Sequence, residues 1–325
     1  MVCKSNNPKH KIQNIMDGIL IVDKPEGLTS HDVVSRLRRI LKTKRIGHTG
    51  TLDPFATGVL VMLIGKATRL AQFLDKDKKE YEAIMRLGFE TDTGDVSGSP
   101  KQIQNSKFKI QNEVIEEVLK DFRGEIKQTP PMYSAKKVAG KKLYELARKG
   151  IEIERKPVKV KIYEIEIIKN QRPKTEDLQK NNFGLWTLDF GLKVTCSAGT
   201  YVRTLAEDIG KKLRIGAHLA ALRRTSAGQF DLSKAVTLEE LVEIVANGKL
   251  GEVLISMNDA LAHLPKVILN DEEIKNTQNG KKLKFGNAEI KNNQAVRMIN
   301  KTENLIGIGF YDEEQKSIQP RIVMV

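Results

Sequence analysis

A glycine-rich stretch between residues 47 and 58 carries the residues best suited to chemistry. It places Asp53 directly before Pro54 and has glycines at positions 47, 50 and 58. Glycine permits positive φ and close backbone approach, and proline restricts the residue before it to extended conformations. Such a loop can hold one carboxylate in a fixed pose, as a general base or a nucleophile. An Asp that only organises a turn before proline is the alternative that spacing leaves open.

Other residues with metal-binding or redox chemistry form weaker patterns. Asp92 and Asp95 lie three residues apart with no further oxygen ligand close by, whereas hard cations take six or more. A turn is the better interpretation, and we expect no metal and no cofactor. The two cysteines, Cys3 and Cys196, are too few for a disulfide framework or a structural zinc site. Cys196 lies among apolar residues and is expected to be an inert core thiol.

The elements that must position the loop follow from the spacing of apolar residues. Helices are predicted from an N-cap at Ser30, around residues 67–74, from an N-cap at Asn112, at 143–147, at 201–213, from a Thr237–Glu240 capping box, and at 271–278. Strands are predicted at 18–23, 59–64, 81–87, 158–162 and 185–196, with a solvated hairpin tip at 170–182. Because strands and helices alternate without a βαβ rhythm, we expect an α+β fold whose mixed sheet is mainly antiparallel and flanked by helices.

Length and pattern changes predict how the chain divides. Its 325 residues exceed the size of one average domain, and the pattern changes to short strands after Leu264-Pro265. We expect an N-terminal extension at 1–17, a catalytic domain at 18–262, and a small β-rich domain at 263–325.

Composition favours a polyanionic partner and excludes other classes. The formal net charge is +14, with charged residues at 30% and hydrophobic residues at 40%, which points to nucleic acid and argues against global disorder. The longest apolar run, 59–64, is too short to span a membrane. Residues 1–16 lack the apolar segment of a secretory signal. We therefore expect a cytoplasmic protein.

Short motifs occur in a fixed order along the chain. They are Lys24-Pro25 followed by Gly27-Leu28-Thr29-Ser30, the 47–58 loop, Lys79-Glu80-Tyr81, residues 199–205 (GTYVRTL) and Leu222-Arg223-Arg224. Together they resemble the TruB type of pseudouridine synthase, the bacterial tRNA pseudouridine-55 synthases, and the tail from about residue 264 resembles a PUA domain. The resemblance covers essentially the whole chain from Gly18.

The resemblance implies an isomerase that converts a uridine in the T-arm loop of tRNA to its C5-glycosidic isomer. Asp53 would be the essential carboxylate, acting on the base, on C1′ or on a ribose proton. Nothing is oxidised or donated in the net reaction, so no cofactor is required. The target base must be extruded from its stack. Tyr81 would then stack on it and His48 would hold the flipped conformation; a core tyrosine and an exposed loop histidine are the structural alternatives.

Arg203 is noteworthy for a physical reason of its own. It lies in the first turn of a predicted helix, where a cation opposes the helix dipole by about 0.3–1 kcal/mol. An ion pair with Asp53, the role that the resemblance implies for the matching arginine, would offset that cost and keep the carboxylate ionised; a surface arginine is the alternative. The resemblance further implies that Leu222 and Tyr201 line the uracil pocket, with Lys24 and Asp95 as further substrate contacts.

The expected partner is tRNA, bound through its T-arm stem-loop. Residues 126–150 resemble an insertion that grips the T-arm in stand-alone enzymes, and clusters of lysine and arginine would track phosphates. We expect a monomer that needs no protein partner and no membrane. Two other functions stay open: a non-catalytic protein that binds or folds tRNA, and a catalytic subunit that depends on a guide RNA.

Overall fold

A computed structural model describes residues 17–75, 78–101, 107–134, 136–138, 140–147, 149–168, 178–181, 183–286 and 289–324. Nearly all of the predicted N-terminal extension, and most of the predicted hairpin tip at 170–182, lie outside these ranges. Within them, two main sheets and eight α-helices are described.

The larger sheet has eleven strands and supports the 47–58 loop. Its strands are β1 (Gly18–Lys24), β2 (Ile46–Thr49), β3 (Thr57–Ile64), β4 (Lys79–Leu87), β5 (Gly124–Gln128), β8 (Val158–Ile167), β9 (Gln179–Lys180), β10 (Trp186–Cys196), β11 (Ala217–Ala227), β12 (Phe230–Asp231) and β13 (Ala235–Val236). They are bonded in the order β13-β1-β3-β11-β4-β10-β8-β5, with β2, β9 and β12 at the sides. Only the β1–β13 and β3–β11 pairs are parallel among the described pairs of this sheet. The predicted, mainly antiparallel α+β architecture is confirmed.

The helices lie where the apolar spacing predicts, with two corrections at their N-termini. Thr29, not Ser30, caps the first helix in a capping box with Asp32. Gln111 precedes the third helix, and Asn112 is its first residue. The helices are α1 (Ser30–Ile40), α2 (Ala71–Leu74), α3 (Asn112–Lys120), α4 (Leu143–Ala147), α5 (Val202–Lys212), α6 (Leu238–Ala246), α7 (Leu250–Val253) and α8 (Asp271–Gln278). A 3-10 turn, Gly65–Leu70, replaces the start of the helix predicted at 67–74.

The centre of the large sheet is buried on both faces. In β1, Leu20 and Val22 join the core on one face, and Ile19 and Ile21 join the core on the other. β3 divides in the same way, because successive side chains of a strand point to opposite faces. This two-sided burial explains why residues 59–64 form an unbroken apolar run instead of an alternating one.

The C-terminal residues form a separate five-stranded sheet. The strands of this sheet are β14 (Lys266–Ile268), β15 (Leu283–Lys284), β16 (Ala295–Ile299), β17 (Leu305–Asp312) and β18 (Ser317–Val323), in the order β14-β16-β17-β18-β15. A separate short hairpin, earlier in the chain, consists of β6 (Lys137–Val138) and β7 (Lys141–Lys142). The core on one face of the five-stranded sheet includes Val296 and Ile318. Its other face, including Ile308 and Ile322, packs into the core that contains Ile19 and Val61 of the large sheet.

One central strand, β11, was not predicted from the sequence. It lies between β3 and β4 and pairs with both. Its segment contains Arg223 and Arg224 among small residues, so it lacks the β-branched run that marks most strands. Its neighbours on both sides satisfy its backbone, which is why the strand forms despite that composition.

Candidate active site

Asp53 and Arg203 form an ion pair, although 150 residues separate them in the sequence. Arg203 Nε lies 2.8 Å from Asp53 Oδ2, and its Nη2 donates to Asp53 Oδ1 at 3.2 Å. This two-point geometry fixes the orientation of the carboxylate as well as its position. The ion pair that the family resemblance implies for this arginine is therefore present.

The rest of the Arg203 guanidinium is also held. Nη1 donates to the carbonyl of Thr93 at 2.8 Å, and Nη2 donates to the carbonyl of Tyr133 at 2.7 Å. Asp95 Oδ2 lies 3.6 Å from Nη1. The Arg203 side chain is 5% exposed, so the surface-arginine alternative is wrong. Three separate loops meet at this one side chain.

The protonation of Asp53 depends on opposing influences. Burial raises the pKa of its carboxyl group, Arg203 and Lys24 lower it, and Asp95 raises it. The Asp53 side chain lies deep among protein atoms, yet 32% of its surface still faces the cavity. A carboxylate whose pKa is raised and which stays open to a cavity is suited to act as a base or a nucleophile.

Asp53 lies in the wall of a cavity of about 260 Å³. The cavity is lined by residues 50–53 of the loop, by Asp75, by Lys79 and Tyr81 of β4, by residues 197–203, by Ser134, and by Leu222 and Arg224 of β11. Of the predicted site residues, Asp53, Tyr81, Tyr201, Arg203 and Leu222 therefore meet around one space. A cavity of this size with two carboxylates and two tyrosines can receive a single nucleobase.

The end of the loop is fastened to the first helix. The Ser30 hydroxyl donates to the Leu52 carbonyl at 3.1 Å and accepts the Leu52 N–H at 2.9 Å. The Gly27 N–H donates to the carbonyl of Pro54 at 2.8 Å. Backbone groups on either side of Asp53 are thereby fixed to the β1–α1 turn, whose residues 24–30 form the first of the motifs.

Lys24 lies under the same loop and does not line the cavity. It is fully buried, and its Nζ donates to the carbonyls of Pro25, Leu28 and Pro54 at 2.8, 2.7 and 3.2 Å. Burial lowers the pKa of Lys24 to about 8, and the charge of Asp53 opposes this effect. With its donors directed at backbone carbonyls, Lys24 is placed to shape the loop, and its direct contact with substrate stays a prediction.

His48 and Asp95 lie apart from the cavity lining. His48 is on β2 opposite Met62, and its Nδ1 is buried without a hydrogen-bond partner in the structure; burial lowers its pKa. Asp95 Oδ1 accepts from the Thr93 and Ser97 hydroxyls and from the Ser97 N–H. Asp95 thus organises the loop that holds Arg203. Direct contact of either residue with substrate stays a prediction.

Sequence reasoning missed several residues that complete the site. Gln128 of β5 is fully buried; its amide donates to the Tyr201 carbonyl at 3.2 Å and accepts the Tyr201 N–H at 3.0 Å. The carbonyls of Thr93 and Tyr133 hold Arg203. These partners are distant in sequence and act partly through backbone atoms, so no spacing could have indicated them. Arg224 stood in a recognised motif, and its fully buried side chain was not foreseen.

Cys196 is fully buried, and burial raises the pKa of its thiol to about 11, as expected for an inert core thiol. Among the residues that the structure describes, no group of three or more His, Cys, Asp and Glu is placed to hold a metal ion. No helix in the described ranges is long and apolar enough to span a bilayer.

Family models match the chain in three consecutive parts. The model for the TruB family pseudouridylate synthase N-terminal domain matches residues 38–202. The model for the tRNA pseudouridylate synthase B C-terminal domain matches residues 203–262, and the model described as pseudouridine synthase II TruB, C-terminal, matches residues 265–324. The first match contains Asp53 and Tyr81, and the second begins at Arg203.

Individual proteins that are similar to this chain are also named as tRNA pseudouridine synthases. A protein named tRNA pseudouridine synthase B from Geobacillus thermodenitrificans is 46% identical over 270 residues, 83% of this chain and 86% of its own length. One of the same name from Solibacter usitatus is 40% identical and covers 90% of this chain and 95% of itself. A crystal structure of a Cbf5-Nop10-Gar1 complex contains a chain that is 28% identical with a TM-score of 0.69, covering 95% of this chain and 85% of that one. The chain therefore belongs to the TruB family of pseudouridine synthases, as its motifs predict.

Proposed function

We propose that this protein isomerises uridine to pseudouridine at position 55 in the T-arm loop of tRNA, with Asp53 as the essential carboxylate. The observation that carries the proposal is the two-point ion pair between Asp53 and the buried Arg203 in the wall of a nucleobase-sized cavity. The name tRNA pseudouridine synthase B, borne by the relatives, supports the substrate class. A tRNA substrate would place the enzyme in the cytoplasm.

The reaction makes three demands on the site. The N1–C1′ bond breaks, the uracil ring turns over, and a C5–C1′ bond forms while C5 loses a proton and N1 gains one. No atom or electron is gained or lost overall, so the proposal includes no cofactor. Asp53 can attack the base, attack C1′ or remove a ribose proton, and each role uses the ionised carboxylate. Arg203 favours that ionised form and holds its orientation.

The aromatic and apolar walls supply the second part of the proposal. Tyr81 and Leu222 face the cavity from neighbouring strands, and Tyr201 faces it from the start of α5. A base extruded from the RNA loses its stacking partners, and an aromatic side chain restores about 1–3 kcal/mol per base. We assign Tyr81 to that stacking and Leu222 with Tyr201 to the pocket wall.

RNA binding outside the cavity is assigned to two further parts of the chain. Residues 126–150 reach the site itself, because Ser134 lines the cavity and the Tyr133 carbonyl binds Arg203. Their basic side chains would grip the T-arm. We propose residues 263–325 as a PUA-like domain that adds RNA contacts, with residues 18–262 as the catalytic domain.

A second function is favoured by one observation. The structural neighbour with a TM-score of 0.69 is part of a Cbf5-Nop10-Gar1 complex, and another with a TM-score of 0.68 is an H/ACA RNP bound to a substrate RNA. By analogy, this chain could act only inside an assembly. The higher identity to tRNA pseudouridine synthase B, over most of both chains, favours a stand-alone monomer.

The deciding experiment incubates the purified protein with an unmodified tRNA transcript and no other component. Pseudouridine is mapped by position for the wild type and for Asp53→Asn, which keeps the size of the side chain and removes its charge. We expect product at position 55 with the wild type alone, and tRNA binding by both proteins. Binding without product from the wild type would overturn the stand-alone enzyme and leave the RNA-binding protein or the dependent subunit.

A further inference from the structure

Arg224 is a buried cation that joins two halves of the candidate site. It is 1% exposed and lies on β11 between β3 and β4. Its backbone pairs with Gly58, where β3 leaves the Asp53 loop, and with Tyr81 on β4. One residue therefore contacts both the strand that follows the carboxylate loop and the strand that carries the stacking aromatic.

The Arg224 side chain extends these contacts. Its Nε donates to the Val59 carbonyl at 2.7 Å, and its Nη2 donates to the Gly50 carbonyl at 3.0 Å, three residues before Asp53. Arg224 and Tyr81 also line the same cavity. The planar fork of donors on a guanidinium lets one side chain reach both carbonyls from separate nitrogen atoms, whereas a lysine has a single ammonium nitrogen.

The loop packs against Arg224 at both ends. A Cβ added to Gly50 would lie 3.3 Å from Arg224 Nη1, and one added to Gly58 would lie 2.2 Å from the Arg224 carbonyl oxygen. Both glycines also have positive φ, +71° and +99°. These two positions therefore require glycine, and the close approach that glycine allows is an approach to Arg224.

The charge of Arg224 has no carboxylate to balance it. Within the described ranges, no Asp or Glu forms an ion pair with it, and its hydrogen bonds go to backbone carbonyls. An unpaired buried cation is costly, and apolar side chains often fill such positions without loss of stability. The energetic cost of burying Arg224 is therefore better explained by a role in the candidate site than by a gain in the stability of the fold.

We propose that Arg224 is a positioning residue, which holds the Asp53 loop and the start of β3 through the Gly50 and Val59 carbonyls, in one arrangement with Tyr81, its backbone partner on β4. The inference rests on the proposed function, because its effect is on turnover. Arg224 itself is too buried to contact RNA over any wide surface, so its loss should lower kcat and leave KM for tRNA almost unchanged.

The test compares kcat and KM for the wild type, Arg224→Lys and Arg224→Met. We expect each variant to lower kcat by about tenfold or more, because misplacement of reacting groups by about 1 Å costs up to 100-fold. KM should stay within about threefold of the wild type.

Arg86→Lys is the matched control. Arg86 is a partly buried arginine on β4 that does not line the cavity, and its Nε donates to Asp189 Oδ1 at 2.7 Å. The same substitution there should lower thermal stability and leave kcat within about twofold of the wild type. An equal fall in kcat from both arginine variants would overturn the proposal, since it would reflect destabilisation alone.

Other outcomes also decide it. A kcat for Arg224→Lys equal to that of the wild type, or a rise in KM at constant kcat, would each overturn the inference. An inactive wild type would refute the proposed function instead, so the two failures are distinguishable. Should Arg224→Lys fail to fold, Arg224→Met decides alone by the same readouts: a lower kcat at unchanged KM supports the proposal, and an unchanged kcat overturns it.

Discussion

At the scale of single residues, the charge of Asp53 is set by the groups that face it. Burial raises its pKa, and the Arg203 guanidinium is the largest opposing influence. The charge of Asp95 raises the pKa of Asp53 further, and the charge of Lys24 lowers it. The carboxylate is therefore more basic than an exposed one but still paired with a cation. The pH dependence of the reaction should report this balance.

Activity should fall on the acid side at a pH above 3.8, the ordinary value for an aspartate, because the pKa of Asp53 is raised and only its ionised form works. Arg203→Ala removes the main opposing charge, so the pKa of Asp53 and the acid limb of kcat/KM should move to higher pH. Asp95→Asn removes a negative charge and should move the limb to lower pH. Profiles of kcat/KM from pH 4 to 8 test both directions; limbs that coincide in all three proteins would contradict the assignment of Asp53.

Lys24 offers a test of positioning against substrate contact. Lys24→Met keeps the length of the side chain and removes the donors to the three backbone carbonyls beneath the Asp53 loop. We expect kcat to fall about tenfold or more because the loop shifts, with little change in tRNA affinity. Filter-binding and steady-state kinetics measure the two quantities. A large loss of affinity at constant kcat would instead restore the substrate contact expected from the sequence.

At the scale of elements, the site is assembled where loops meet. The Asp53 loop joins β2 to β3, Arg203 begins α5, and Tyr81 and Leu222 occupy adjacent strands. The first turn of α1 supports the loop through Ser30, and the end of β5 supports the start of α5 through Gln128. Each chemical group is therefore fixed by an element other than its own.

Ser30→Ala should disturb this support. The substitution leaves the N–H and C=O of Leu52 without their buried partner, and unsatisfied buried groups cost about 1–3 kcal/mol. Denaturant titration should show that loss in the free energy of unfolding, together with a lower kcat. Ser233→Ala, which removes an exposed hydrogen bond from the Ser233 hydroxyl to Asp231 Oδ1, is the control and should change neither quantity appreciably. A normal kcat in Ser30→Ala would show that the loop holds its shape without α1.

At the scale of the whole molecule, the two sheets share a core. Ile308 and Ile322 of the C-terminal sheet pack in the same apolar cluster as Ile19 and Val61 of the large sheet. The C-terminal sheet also has a cluster of its own, including Val296 and Ile318. Its stability is thus tied partly to the catalytic domain, which favours their cooperative unfolding.

Unfolding should therefore proceed in one transition. The single tryptophan, Trp186, is at the start of β10 and reports on the large sheet, whereas far-ultraviolet circular dichroism reports on both sheets. We expect the two probes to give the same midpoint in guanidinium chloride. Ile308→Ala, within the shared core, should lower both midpoints together. A second circular-dichroism transition after the Trp186 signal is complete would show that the sheets unfold independently.

The net charge of +14 predicts strongly salt-dependent RNA binding. Between about 50 and 200 mM salt, affinity for tRNA should fall about tenfold or more, because lysine and arginine contacts with phosphates release counterions. Equilibrium binding at several salt concentrations gives the slope. A flat dependence would argue against basic surfaces as the main source of RNA affinity.

Sequence alone predicted the family, the α+β class, most helices and the strands β1, β3, β4, β8 and β10, and the family resemblance implied the pairing of Asp53 with Arg203. Motifs, helical spacing and the dipole argument are local or carried by the family, so they can be read without coordinates. Only the tertiary structure decided the unforeseen strand β11, the place of Lys24 under the loop, and the supports given by Gln128 and Arg224. These contacts join segments far apart in the chain, and several end on backbone carbonyls, which every residue carries and no sequence pattern can distinguish.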